Sequence, residues 1–351
     1  MEFRGQEWRG GIVIDTSKNR FAASQGYNYA FDKRNGEFMR WGKTISEDPM
    51  WSPLGPEIAD IEISTGDCSG GCQFCYKSNN RGRGVHMSVF EYRSLMKKMN
   101  PTLTQVALGI TDADKHPDFI EILKLTREYG FVPNYTTSGH GLTLGIMKAT
   151  RDLCGGVSVS VYEHNWDLAL KTVLSFLKLG VKQVNIHLMY SKETYAHCKN
   201  LIDYISNSRD FGGLNAVVLL ALKQKGRGDG YHALSEAAFE NLVDTARHNE
   251  IPLGFDSCSA PRYYAYAKKN GLEDTLVYAE SCESSLFSIY INALGFAYPC
   301  SFTEGNVGGT NLHYCESVMT AWESLTFKTF RERLLDGVDD DGCRHCPYFK
   351  V

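Results

Sequence analysis

The sequence lacks several features that would assign it to a class at once. None of its apolar runs approaches the roughly 20 residues that span a bilayer. The first ten residues, MEFRGQEWRG, carry charges where a secretory signal needs an apolar stretch. Basic residues are not in excess, because 37 Lys and Arg stand against 41 Asp and Glu, a net charge of −4. We therefore expect a cytoplasmic globular protein without a membrane span or a broadly basic nucleic-acid surface.

Cysteine, in contrast, is abundant. Eleven thiols are many for a reducing compartment, where disulfides are not normally kept, so metal or redox chemistry is the favoured explanation. Seven of these residues form an early and a late group. The early group is Cys68, Cys72 and Cys75, and the late group is Cys282, Cys300, Cys343 and Cys346. The other four are scattered singly, and three of them, Cys154, Cys198 and Cys315, are most simply core residues.

The middle of the chain alternates apolar strands with amphipathic helices six times. The predicted strands are 58–64, 104–110, 132–138, 156–162, 183–190 and 216–222. Ser88 and Glu91 form a capping box that predicts the start of the first helix. Buried-looking strands, each followed by a helix, predict an α/β fold with a partial (βα)6 barrel of parallel strands. Residues 251–257 are a candidate seventh strand.

The two ends of the chain have a different pattern. Residues 1–57 contain short alternating stretches around the turn signal RNG and predict an N-terminal β-hairpin extension. The elements become shorter from residue 259 and include the late cysteines, which predicts a small C-terminal α+β domain. The predicted division is therefore an N-terminal extension at 1–57, a partial barrel at 58–258 and a C-terminal domain at 259–351.

The early cysteines lie just after the first predicted strand, at the carboxyl end where βα barrels carry their active sites. Three thiolates so close together can hold three irons of a [4Fe–4S] cluster and leave the fourth iron without a protein ligand. A zinc site is the alternative. Zinc usually takes four N or S ligands, however, and only His86 lies near enough in sequence to be a fourth.

The spacing CxxxCxxC, with Phe74 before the last cysteine, resembles the signature of the radical S-adenosylmethionine (SAM) superfamily. The resemblance implies that SAM chelates the open iron of the cluster, with Phe74 among the residues near the cofactor. It also implies that the cluster, reduced by an external flavodoxin- or ferredoxin-type donor, cleaves SAM to a 5′-deoxyadenosyl radical. This radical abstracts hydrogen from an unactivated carbon of the substrate, so an oxidoreductase activity is expected.

The resemblance also assigns residues at the second strand to SAM. Family members end this strand in Gly-Gly-Glu-Pro, and Ile110, Thr111, Asp112 and Ala113 occupy those places here. Asp112 is then the acceptor for the methionine amino group, because an ionised carboxylate makes strong charge-assisted hydrogen bonds. The alternative is that Asp112 caps the next helix.

Polar residues at the ends of later strands are further cofactor-binding candidates. Ser138 and Ser160 sit where the family contacts SAM, and His187 and Lys223 face the same mouth if the register is right. His187 has the alternative of a core histidine with satisfied hydrogen bonds. Lys223, together with the segment 225–227, has the alternative of a solvated loop.

The late cysteines resemble a twitch domain, a truncated relative of the SPASM extension. Cys282, Gly295 and Cys300 are followed by the CxxC pair Cys343 and Cys346. Four thiolates close the coordination of one auxiliary [4Fe–4S] cluster, so no iron is left for substrate. Only PYFKV follows the pair, so a second auxiliary cluster lacks ligands. A structural zinc ribbon is the alternative.

Two residues at the candidate seventh strand are the predicted catalytic groups. Cys258 has three interpretations: a hydrogen-atom donor to a substrate radical, a replacement cluster ligand, or an ordinary buried cysteine. Asp256, two residues earlier, projects to the same side and is the candidate proton acceptor for an oxidation.

The resemblance leaves the substrate open. Peptide maturation by epimerisation, oxidation or cross-linking is the first hypothesis. Residues 1–57 are too short and strand-like for the winged-helix leader-binding module of some maturases, so a separate recognition protein would supply it. Dehydrogenation or epimerisation of a sugar, cyclitol or nucleoside is the second hypothesis. A non-catalytic iron–sulfur electron carrier or zinc-stabilised binding module is the alternative from another class.

Overall fold

The computed structural model describes residues 4–338 and 343–349, and an antiparallel sheet lies at the start of the chain. Its five strands form a meander: β1 (Arg4–Trp8), β2 (Gly11–Asp15), β3 (Asn19–Ala23), β4 (Asn28–Asp32) and β5 (Phe38–Trp41). Arg9 and Gly10 connect β1 to β2 with φ angles of 49° and 77°, as a two-residue hairpin turn requires. The prediction of an N-terminal hairpin extension is confirmed.

One face of this sheet is buried. Val13, Ala22 and Tyr29 are cross-strand partners and are at most 2% exposed, as alternation along the strands requires. They belong to a core cluster that includes Leu286 and Phe330 from the last quarter of the chain. The N-terminal sheet therefore shares its core with residues that lie far away in sequence.

The second sheet has ten strands, seven of which run parallel in chain order. These seven are β6 (Ile58–Glu62), β9 (Gln105–Gly109), β10 (Val132–Thr137), β11 (Val157–Ser160), β12 (Val184–Tyr190), β13 (Ala216–Ala221) and β14 (Leu253–Phe255). Between the first two of them, β7 (Ser64–Thr65) and β8 (Val85–His86) pair as a short ribbon. All six predicted strands are present, and the candidate seventh strand joins the sheet beside β13. The parallel partial barrel is thus confirmed.

Helices follow the parallel strands and cover the outer face of the sheet. They are α1 (Val89–Met96), α2 (Phe119–Glu128), α3 (Leu144–Leu153), α4 (Trp166–Leu179), α5 (Tyr195–Ser206), α6 (Glu236–His248) and α7 (Ala260–Lys269). The capping box at α1 is present, because Ser88 Oγ accepts from Glu91 N and Ser88 N donates to the Glu91 carboxylate at 2.8 Å. Among the described residues, no helix combines the length and apolar character needed to cross a membrane.

The C-terminal residues continue the same sheet. β15 (Ser288–Ile291) pairs parallel with β6, and β16 (Phe296–Tyr298) and β17 (Thr310–Asn311) follow antiparallel. Two helices, α8 (Met319–Trp322) and α9 (Leu325–Asp336), come after them. The first barrel strand therefore has a C-terminal strand as its neighbour. The domain boundaries at 57/58 and 258/259 stay predictions.

Candidate active site

The inner side of the partial barrel encloses a cavity of about 840 Å³, within the range of small-molecule sites. The loop between β7 and β8, residues 66–84, lies where the cavity meets the carboxyl ends of the parallel strands. This loop is called the cysteine loop below. Ten of the predicted site residues line this cavity: Cys68, Cys72, Phe74, Cys75, Thr111, Ser138, Ser160, His187, Lys223 and Asp256. Asp112, Cys258 and the late cysteines are not among the lining residues.

The sulfur atoms of the cysteine loop are close together. A Cβ on Gly70 would lie 3.3 Å from Cys68 Sγ and 3.6 Å from Cys72 Sγ, so both sulfurs flank one glycine that leaves space between them. Burial raises the pKa of Cys72 to about 12, and the neighbouring thiols of Cys75 and Cys68 add to the shift. Metal binding would therefore have to displace the protons of these thiols, which are released to solvent.

The donor set fits a polynuclear cluster. Three thiols on one short loop are the ligand chemistry of a [4Fe–4S] centre with one open iron. Within residues 4–338 and 343–349, no three Cys, His, Asp or Glu side chains are grouped so that they could hold one metal ion. A cubane distributes its thiolates over separate irons, so its ligands need not converge on one point.

Asp112 holds the cysteine loop near its start, at Ser69. Its carboxylate accepts from Ser69 N at 3.0 and 3.2 Å and pairs with Lys115 Nζ at 3.0 Å. Lys115 also bonds Asp67, at 2.8 Å. Although burial acts to raise it, the contacts with Ser69 and Lys115 lower the pKa of Asp112. Asp112 does not cap α2, which begins at Phe119, and its binding to the methionine amino group stays a prediction.

The segment after β13 holds the cysteine loop from the other side. Arg227 donates to Cys72 O at 3.0 and 2.7 Å and to Asn79 O at 2.7 Å, and its own N–H donates to Cys75 O at 3.1 Å. Lys225 Nζ donates to Phe302 O at 2.8 Å. The alternative of a solvated loop is therefore wrong for these side chains, because both make tertiary contacts.

Phe74 packs within an aromatic cluster beside the cavity. Its ring centroid lies 4.7 Å from that of Tyr162 and 5.7 Å from that of Tyr231, both edge to face. Met189 and Leu222 belong to the same apolar cluster. This arrangement fixes the loop between Cys72 and Cys75 and gives the mouth of the cavity an apolar wall.

Three small polar residues and a histidine line the cavity on neighbouring strands. Thr111 N donates to Ser64 Oγ at 2.9 Å, and Ser138 Oγ lies 3.0 Å from His140 Nδ1. The Ser160 carbonyl accepts from Asn165. Burial lowers the pKa of His187 to about 4, so this imidazole is neutral at physiological pH. The contacts do not decide whether these residues bind SAM, and that assignment stays a prediction.

Lys223, Asp256 and Cys258 form one group at the edge of the cavity. Lys223 is 7% exposed, and its Nζ lies 2.6 Å from Asp256 Oδ2. Asp256 Oδ1 accepts from Ala221 N and Ser259 N at 3.1 and 2.9 Å, so its carboxylate is largely satisfied within the protein. The Cys258 thiol lies near the Lys223 ammonium, and burial raises the pKa of this thiol well above its ordinary value.

Three of the late cysteines, Cys282, Cys300 and Cys346, lie near one another. Burial raises the pKa of Cys282 to about 12, with smaller contributions from the nearby Cys300 and Cys346. Backbone N–H groups donate to Cys300 Sγ and Cys346 Sγ, each at 3.4 Å, and such bonds help to set cluster potentials. Cys343 is buried and interacts with Tyr264. Cys282 and Cys300 also contribute to the raised pKa of Cys258, so Cys258 is near these two thiols as well as Lys223.

An ion-pair network that the sequence analysis did not predict connects the cysteine loop to the first barrel strand. Lys77 Nζ lies 3.1 Å from Glu62 Oε2 and 3.1 Å from Tyr290 OH, and it also pairs with Glu304. The charge pattern could have indicated this ion pair, because Glu62 ends the first barrel strand and Lys77 follows the last cysteine of the motif by two residues. His164 was also missed, and its Nε2 lies 3.6 Å from Cys72 Sγ.

A parallel partial barrel whose first strand leads into a three-cysteine loop is the arrangement that the resemblance to the radical SAM superfamily predicts. No known family model matches the sequence, and no curated protein matches it. Solved structures do match. SuiB from Streptococcus suis, bound to its precursor peptide SuiA, aligns with a TM-score of 0.68 and 13% identity over 90% of each chain.

Two further solved structures have cofactor bound. SuiB with S-adenosylmethionine aligns with a TM-score of 0.63 and 15% identity, over 79% of this chain and 68% of that one. The enzyme anSMEcpe with AdoMet and the Cp18Cys peptide aligns with a TM-score of 0.59 and 15% identity, over 79% and 82%. The likeness confirms the predicted fold at identities too low to carry over residue roles.

Proposed function

We propose that this protein is a radical SAM enzyme that modifies a peptide. The observation that carries the proposal is that the thiols of Cys68, Cys72 and Cys75 all line one cavity at the carboxyl end of the barrel. These residues would hold a [4Fe–4S] cluster. When bound and reduced, that cluster supplies the electron that cleaves SAM and so generates the 5′-deoxyadenosyl radical.

The chain's own residues would orient the reactants. Asp112 holds the cysteine loop at Ser69, and Arg227 holds it at Cys72 and Asn79, which would restrict the direction in which the thiols point. The polar strand ends at Thr111, Ser138 and Ser160 line the cavity where SAM would bind. Phe74 and its aromatic neighbours exclude water from the same mouth.

The late cysteines would hold one auxiliary [4Fe–4S] cluster through four thiolates. The proximity of Cys282, Cys300 and Cys346, together with the backbone N–H groups that point at two of the sulfurs, supports this role. A fully ligated cluster beside the cavity would accept an electron from substrate or support the fold.

A peptide substrate is supported by the relatives of like fold, since SuiB was solved with a precursor peptide and anSMEcpe with the Cp18Cys peptide. A small hydroxyl-bearing sugar, cyclitol or nucleoside is the second candidate. The polar inner face at Asn134, Ser158 and His187 favours it, because these side chains would hydrogen-bond hydroxyl groups.

Cys258 and Asp256 would decide the outcome at the substrate radical. If Cys258 donates its S–H hydrogen, the carbon is epimerised, and the thiyl that remains must regain one electron and one proton. If instead the substrate radical loses an electron to the auxiliary cluster and a proton to a base, it is oxidised. The Asp256 carboxylate is paired with Lys223, which supports positioning of that lysine at least as well as proton transfer.

The test is iron content and cofactor cleavage after anaerobic reconstitution. Two clusters predict about eight irons per chain, and replacing Cys68, Cys72 and Cys75 together by alanine should leave about half. Dithionite-reduced protein should form 5′-deoxyadenosine slowly without substrate, and Cys72→Ala should form none. Cys315→Ser is the matched control, because Cys315 bonds the Asn311 carbonyl outside both groups. Full iron retention in the triple variant would refute the assignment.

The same experiment separates the non-catalytic alternatives. A zinc-stabilised module would bind zinc in place of iron, and an electron carrier would bind iron without cleaving SAM. Product mass then separates the routes: epimerisation in deuterated water adds one deuterium at carbon, and oxidation removes two hydrogens.

A further inference from the structure

The interior of this partial barrel is unusually polar. Barrel interiors are normally filled by bulky branched side chains such as Val, Ile and Leu. Here the inward positions of the first five strands include Asp60, Ala107, Thr136, Ser158 and His187, all of which line the cavity. The cavity therefore continues below the cysteine loop toward the amino ends of the strands. This lower part is lined mainly by small and hydrogen-bonding side chains.

Asp60 has no partner in this lower part. The other charged side chains that line the cavity form two ion pairs, Glu62 with Lys77 and Lys223 with Asp256. In the part of the chain that the structure describes, no hydrogen bond or ion pair reaches the Asp60 carboxylate. Asp60 precedes Glu62 by two positions on β6, so both point to the same side, with Asp60 deeper in the barrel.

The surroundings of Asp60 make a bound cation favourable. The side chain is exposed to the cavity, and the protein that surrounds this cavity raises the pKa of Asp60 to about 6 by desolvation. Among the described residues, this carboxylate has no counter-ion. An ammonium or guanidinium group that entered the cavity would supply the counter-ion and several N–H donors.

We propose that Asp60 binds a cationic group of the substrate, so that the substrate is a peptide whose lysine or arginine side chain extends into the barrel. This inference rests on the proposed function and narrows its substrate class. Lys77 and Lys223 do not compete for Asp60, because each is held by its own carboxylate partner. Asp60 is thus the one carboxylate among the cavity-lining residues that is available to a ligand.

The test uses reconstituted full-length protein and four-carbon probes that differ in charge: n-butylamine, 1-butanol and butyrate. Binding is measured by calorimetry at pH 8, where Asp60 is ionised. We expect the wild-type protein to bind n-butylamine at least tenfold more tightly than 1-butanol and to reject butyrate. Asp60→Asn should lose this tenfold preference, while Asp152→Asn, a surface carboxylate paired with Arg151, should retain it. Equal affinity of the wild-type protein for amine and alcohol would overturn the proposal.

The failure of this inference can be told apart from the failure of the proposed function. Formation of 5′-deoxyadenosine without substrate does not require Asp60, so Asp60→Asn should keep it. Amine preference unchanged in Asp60→Asn, with normal 5′-deoxyadenosine formation, refutes the cation site alone. If the wild-type protein prefers n-butylamine but forms no 5′-deoxyadenosine, the radical SAM proposal is refuted and the cation site at Asp60 is still supported. If Asp60→Asn does not fold, the relative affinities of the wild-type protein for the three probes still test the proposal. A preference for butyrate would contradict it.

Discussion

Replacing Gly226 by alanine should displace the cysteine loop and impair cluster binding. Gly226 has a φ of +60°, and a Cβ there would lie 2.5 Å from Tyr76 O and 2.7 Å from Cys75 O. Both obstacles are backbone atoms of the loop that carries the third predicted iron ligand. No side-chain rotation relieves the overlap, so either the segment after β13 or the cysteine loop must move.

The magnitude follows from two costs. A residue with a Cβ in the left-handed region costs about 1–2 kcal/mol. Steric overpacking in a closely packed region costs about 1–3 kcal/mol. The variant should therefore lose about 2–5 kcal/mol of stability if the loop stays in place. If the loop moves instead, the loss of stability is smaller, and Cys75 is displaced from the position that a cluster requires.

The assay measures iron content, 5′-deoxyadenosine formation and the free energy of unfolding on the same reconstituted samples. Gly230→Ala is the matched control, because it lies in the same short 3-10 helix, Gly226–Gly230, with no atom within 4 Å of an added Cβ. We expect Gly226→Ala to lose at least half of the barrel cluster's iron or at least 2 kcal/mol of stability, and Gly230→Ala to lose neither. A Gly226→Ala protein with full iron, wild-type cleavage rate and unchanged stability would show that the two segments are not in contact.

Two further predictions concern the auxiliary site and the N-terminal sheet. Cys300→Ala should remove about half of the iron and abolish substrate turnover while some SAM cleavage remains; normal turnover would exclude an essential auxiliary cluster. Arg40→Met should cost about 3–5 kcal/mol at pH 9, because Arg40 pairs with the buried Glu57 at 2.8 Å and with two other carboxylates. Burial raises the pKa of Glu57 to about 8, so this group is protonated at pH 6 and stability falls as the pH rises through 8. The loss in urea unfolding should accordingly be smaller at pH 6, and an equal loss at both pH values would contradict the pairing. Arg34→Met, at an exposed ion pair, should change little.

Local patterns were sufficient for the parallel strands and for the start of α1. Apolar runs of six to eight residues that alternate with amphipathic helices admit few packings, because each helix must cover the face of a parallel strand. The capping box at Ser88 depends on contacts within four residues, so it was readable from the sequence. The cysteine spacing was readable for the same reason, because the three predicted cluster ligands lie on one short loop.

Contacts between distant segments were not readable in this way. Asp112 and Arg227 contact the cysteine loop across 43 and 155 residues of sequence, and Lys77 on that loop pairs with Glu304 across 227 residues. Separations of this size leave no local pattern. The pairing of β15 with β6 likewise depends on how the chain returns to the barrel edge.

The sequence by itself determined which residue types were available: three thiols on one short loop, four more in a late group, and six strand–helix units to form a barrel. Only the tertiary structure decided which of the charged groups neutralise one another. Lys223 and Asp256 meet because their strands are neighbours, whereas Asp60 enters the cavity without a partner. The physical reason is that ion pairing depends on distances of a few ångströms between side chains, and these distances are set by the packing of the whole sheet.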